Sequence, residues 1–119
     1  MITPSLIDIE MELQWQKVIQ FLQNNFDKNE IDLEAMLMLI GIQEVGLIRS
    51  KYSKEQKQDL MHVAVCTLLQ HEDCFVYSHQ DEDGWPHYKA LERTTLLTGD
   101  EQDYLLRKQI ILYFQNHIK

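Results

Sequence analysis

In the stretch KQDLMH, Asp59 and His62 stand three residues apart, a spacing that puts a carboxylate and an imidazole one turn apart on the same side of a helix. Such a pair is half of the ligand set of a bundle di-metal centre, which is completed by glutamates from facing helices. Glu44 is the candidate for the completing carboxylate. It lies inside LMLIGIQEVGLI, the most apolar passage of the chain, and at 100° per residue it falls in line with Leu33, Met36, Leu37, Ile40, Leu47 and Ile48. A glutamate buried there must be paired, protonated or metal-bound, because an ionised carboxylate without a partner is too costly to keep in an apolar interior. Arg49, Arg93 and Arg107 are the candidate structural partners, and Zn, Fe or Mn the candidate metals.

No second carboxylate-x-x-His spacing repeats in the chain. A di-metal centre would therefore need two copies, and a single-metal site would have to borrow His79 or His87. Cys66 falls on the same side as Asp59 and His62, while His71 and Cys74, at H-x-x-C spacing, supply only two local ligands. A histidine beside a core face is more often a satisfied structural residue than a ligand, so the expectation is no cofactor. A metal enzyme centred on Glu44, Asp59 and His62, activating water or dioxygen, is the alternative.

The acidic run DEDG lacks the spacing of a calcium loop, because its glycine arrives two residues early; it reads as a hairpin turn. Next to it, in DGWPHY, Trp85, His87 and Tyr88 either fold back over the helices or present an aromatic anchor to a partner. No GxSxG elbow and no glycine-rich phosphate loop is present.

The elements that must hold these residues follow from periodicity and capping. Thr3 and Pro4 open a predicted helix to about Asn25, with Ile7, Met11, Trp15, Val18, Ile19, Leu22 and Phe26 at helical spacing. Asp32 caps a second, over Leu33 to Ile48, and Gly46 marks where it begins to fray. Ser53 with Gln56 forms a capping box for a third, running through Gln70, and Thr98 with Glu101 opens another over Gly99 to His117. Between these last two, DCFVYSHQ and WPHYKAL read as strands, and a three-residue turn closing on Gly84 places His79 across from His87. The predicted fold is mainly α (α+β): four helices, with a two-stranded hairpin at about 74–91 inserted between helices three and four, in a single domain over 1–119.

The second predicted helix is apolar nearly all round. Ala35, Met38, Ile42 and Val45 cover the side opposite the main stripe, so it is either central or shared with another subunit. Gly41 in its middle calls for a packing reason, since a mid-helix glycine costs about 1 kcal/mol relative to alanine.

Eleven Lys and Arg against nineteen Asp and Glu give a net charge of −8, which disfavours nucleic acid and anionic membrane surfaces. Hydrophobic residues make up 45% and charged residues 25%, with 4 Gly and 2 Pro, a composition that packs rather than stays disordered. No run approaches the roughly 20 apolar residues needed to span a bilayer, no basic leader is evident, and two cysteines give no disulfide framework. A soluble cytoplasmic protein with reduced thiols is expected.

Together IGIQEVG, KQDLMH and DGWPHY resemble segments of a family of small uncharacterised bacterial proteins without assigned function. The likeness runs from about Ile31 to the C-terminus and implies a bacterial cytoplasmic origin, with no activity attached. The expected function is a non-enzymatic helical protein-interaction domain, homodimeric through Met38 and Ile42, with Trp85, His87 and Tyr88 as further contact residues. Besides the metal enzyme, an acidic inhibitor or immunity-type protein that covers a basic partner is the other alternative.

Overall fold

A computed structural model describes residues 6–26, 30–46 and 48–117. Helix α1 spans Leu6–Phe26, α2 Leu33–Val45 and α3 Lys54–Leu69. A 3-10 turn over Gln70–Glu72 leads into strands β1, Phe75–Gln80, and β2, Pro86–Ala90. Helix α4 covers Glu92–Leu96 and α5 Gly99–His117. The protein is mainly α with a small antiparallel hairpin between the third and fourth helices. The short α4 is a fifth helix that periodicity could not reveal, because five residues give too little pattern. Its segment is tied by Thr94, whose N–H donates to Leu91 O and whose hydroxyl donates to Cys74 O.

The caps set the boundaries. Asp32 Oδ1 accepts from Ala35 N at 2.8 Å and starts α2, as predicted. Gly46 ends it in the left-handed region at φ 75°, its N–H donating to Ile42 O at 2.8 Å, so α2 stops at Val45 rather than reaching Ile48. Ile48 is accordingly 86% exposed and contributes nothing to the stripe. Both capping boxes form: Gln56 N to Ser53 Oγ at 3.1 Å with Ser53 N to Gln56 Oε1 at 2.9 Å, and Glu101 N to Thr98 Oγ1 at 3.1 Å with Thr98 N to Glu101 Oε1 at 3.2 Å. Gln70, predicted to close the third helix, opens the 3-10 turn instead. The Thr3–Pro4 start and Leu47 lie outside the described residues.

One buried cluster joins the helices: Trp15, Val18 and Leu22 of α1, Met36 and Ile40 of α2, Leu68 and Leu69 of α3, and Ile110 and Phe114 of α5. The glycine of α2 has the packing reason its position demanded. A Cβ built on Gly41 would stand 2.2 Å from Leu60 O, so the backbones of α2 and α3 touch there.

The hairpin turn is the expected one. Gly84 N donates to Asp81 O at 3.0 Å, Gly84 adopts φ 88°, and His79 pairs with His87 across the strands, with a register shift between Tyr77 and His79. Tyr88 Oη lies 3.0 Å from Thr67 Oγ1, and this bond ties the hairpin to α3. Val63, Cys66 and Thr67 of α3 are buried.

Candidate functional site

Asp81 builds the tip of the hairpin. Its Oδ1 accepts from the N–H of Asp83 at 3.0 Å and of Trp85 at 2.9 Å, while Oδ2 lies 2.9 Å from His87 Nε2. The His87 bond, helped by the backbone donor at Trp85, holds the Asp81 carboxyl below its ordinary value. His87 stacks on His79, with ring centroids 4.8 Å apart and planes 4° from parallel. Laid against α3, this turn leaves a groove of about 370 Å³ that brings Asp59 and His62 together with Asp83, Trp85 and His87. Two of the sequence-predicted clusters thus meet in one place. Trp85 is half-buried on that wall, and Tyr88 is engaged largely with Thr67 and in an edge-to-face contact with Tyr77 at 5.9 Å.

Glu44 is not with them. It is exposed in the last turn of α2 and lines a different groove, with Tyr113 of α5 and Thr67 and His71 near the end of α3. The angle that placed it on the stripe was right in azimuth, but the helix has run past the core by that turn. Its partner is a phenol rather than an arginine: burial first, and then the Glu44 carboxylate beside it, push the Tyr113 hydroxyl above its ordinary value. Arg93 instead donates to Glu72 O at 2.7 Å, and Arg107 pairs with Asp103 at 3.1 Å. Among the described residues no three His, Cys, Asp or Glu side chains gather in a way that could hold a metal ion. Cys66, 3.6 Å from His62 Nε2, is buried, and burial pushes its thiol up to about 11, the opposite of what a nucleophile needs.

Among the described residues the carboxylate that lies inside is Glu72, in the 3-10 turn and 9% exposed. Gln109 Nε2 donates to its Oε2 at 2.6 Å and Lys108 Nζ reaches the same atom at 3.1 Å. Burial raises this carboxyl, but those donors and the positive charges of Lys108 and Arg93 outweigh it, leaving it below its ordinary value.

The second face of α2 forms the other surface. Ala35, Met38, Leu39 and Ile42 are half-buried along an apolar trough of about 400 Å³, bounded by Phe26, itself 50% exposed, and by Met61. An adjoining groove of about 340 Å³ shares Phe26, Leu39 and Ile42. No helix among the described residues is long and apolar enough to cross a membrane. Comparison with protein-family models, curated proteins and solved structures gives no match.

Proposed function

We propose that this chain is a non-enzymatic helical protein-interaction domain that works as a homodimer, with the trough on α2 as its contact surface. The observation that carries this reading is the run of half-buried apolar side chains at Ala35, Met38, Leu39 and Ile42 beside the exposed ring of Phe26. Covering such a patch gains roughly 25 cal/mol per Å² of apolar surface removed from water. A second copy brings the same patch, so one surface serves both partners. At micromolar concentration light scattering gives twice the mass of one chain, and Met38→Glu weakens association by roughly a hundredfold or more while far-UV circular dichroism is unchanged. A wild type that stays monomeric over that range removes the reading.

The acidic inhibitor is the second reading, supported by the hairpin groove, where Asp59, Asp81 and Asp83 gather and no lysine or arginine among the described residues stands on its walls. The metal enzyme draws no comparable support, because Glu44 lies on a separate groove from Asp59 and His62.

A further inference from the structure

Two apolar grooves share the end of α1. Phe26, its last residue, borders both, together with Leu39 and Ile42 of α2. Of the four phenylalanines, Phe114 is buried and Phe21 and Phe75 are partly covered, while Phe26 is left 50% exposed. One exposed apolar side chain is ordinary on a protein surface. This one is set apart by the two recesses it borders, and their chemistry differs. The groove of about 400 Å³ has Asp32, Glu34 and Lys57 on its walls. The groove of about 340 Å³ has no charged residue among the described residues that line it, and Phe21, Tyr113 and Phe114 give it aromatic walls. A phenyl ring entering this second groove meets other rings in edge-to-face or offset contact and desolvates no charge.

From this we infer that in the homodimer the Phe26 ring of each copy seats in the aromatic groove of the other. This rests on the homodimer reading and adds its anchor and the recess that receives it. In a two-fold pair the same patch faces itself, so an anchor and its receiving groove must both belong to that patch. Here they adjoin, because Phe26 is itself a wall of the groove. A groove meant for an unrelated partner would need no anchor of its own beside it. Pairing removes from water the half of Phe26 that its own chain leaves uncovered, along with the uncovered parts of Leu39 and Ile42. An aromatic side chain seated in a desolvated pocket is the kind of contact that dominates binding energy at an interface.

The test uses variants of the full chain, alone and in mixture, with association read by sedimentation at micromolar concentration. Phe26→Ala removes both anchors and weakens the dimer by roughly a hundredfold. Gln43→Trp, at an exposed position that lines the groove, fills the recess from its own chain and weakens the dimer by roughly tenfold or more. Mixing the two variants restores association. The intact Phe26 of the Gln43→Trp chain enters the open groove of the Phe26→Ala chain, while the shortened side chain leaves room for the added indole. The mixed dimer is therefore about tenfold tighter than Phe26→Ala with itself, and this recovery requires both chains to be folded. If Met38→Glu breaks the dimer but Phe26→Ala or Gln43→Trp leaves it within about threefold of wild type, the anchor is overturned and the homodimer stands. A mixture no tighter than its components has the same meaning. A monomeric wild type overturns both.

Discussion

Met36, Ile40 and Gly41 of α2 are buried, and at Gly41 the helix meets the backbone of α3; around the same helix Ala35, Met38, Leu39 and Ile42 stop at half burial over an open trough. Both sides are apolar, so composition does not separate them. What separates them is what covers them. Gly41 has no side chain, and the space a Cβ would need is filled by the Leu60 carbonyl. Met36 and Ile40 are covered by the core cluster, whereas Met38 and Ile42, of the same residue types, line a groove and keep their outer atoms uncovered. Close packing to a backbone marks a side already filled from within the chain, whereas half-buried flexible chains such as Met38 mark one still able to receive a partner.

The largest effect expected from breaking this contrast is at the sealed side. Gly41→Ala improves helix propensity by about 1 kcal/mol, but its Cβ would meet Leu60 O at 2.2 Å, and the obstacle is backbone that no rotamer change can move. The helices must separate, opening the core around Met36 and Ile40. A net loss of about 3 kcal/mol is expected, read as a lower denaturation midpoint in urea. Unchanged or raised stability would mean that the two helices are free to move apart, and the distinction between the sides would fail.

The two carboxylates sharpen the same contrast. Glu72 sits inside and joins the 3-10 turn to α5 through Gln109 and Lys108, whereas Glu44 ends α2 in solvent beside Tyr113. Removing Glu72 leaves the Gln109 amide buried without its acceptor, so Glu72→Ala costs roughly 2 kcal/mol at neutral pH. Its carboxyl is lower in the folded chain than in the unfolded one. The ionic part of its stabilisation is therefore fully present above the unfolded value of about 4.3 and is lost as pH falls through the lower folded value. Urea denaturation at neutral pH and in acid checks the sign: the gap between wild type and Glu72→Ala must narrow in acid, and a gap that widens refutes the ion-pair account.

Where the sequence carried a local device, the structure could be read from it. Asp32, Ser53 with Gln56, and Thr98 with Glu101 cap their helices through residues three apart, and Gly84 closes the turn that sets His79 against His87. Helical azimuth alone misplaced Glu44, because an angle around the axis says nothing of how far along the axis the core extends. The importance of Glu72 had no local sign at all. It lies in a three-residue turn without periodicity, and its donor Gln109 is 37 positions away. Asp59, His62 and Trp85 were legible as chemistry-bearing residues one by one. Their meeting in one groove depends on Tyr88 docking on Thr67, a contact across 21 positions.

At the solvent end of α2 the expected effect is smallest. Glu44→Gln keeps the side chain's volume and its capacity to accept a bond from Tyr113, and exposed polar contacts of this kind contribute only a few tenths of a kcal/mol. Denaturation at neutral pH therefore changes by less than about 0.5 kcal/mol. The informative reading is at high pH. A phenol raised in the folded state is favoured there while protonated, so its contribution is complete below the unfolded value near 10 and is lost as pH rises through the higher folded value. Removing the Glu44 charge takes away the second cause of that rise and leaves burial, the first. In a spectrophotometric titration of the phenols, Tyr113 in Glu44→Gln should ionise closer to its ordinary value than in wild type, yet still above it. No movement would show that the Glu44 carboxylate is too well solvated to act on Tyr113 electrostatically, and a fall all the way to the ordinary value would show that charge, not burial, governs that end of the helix.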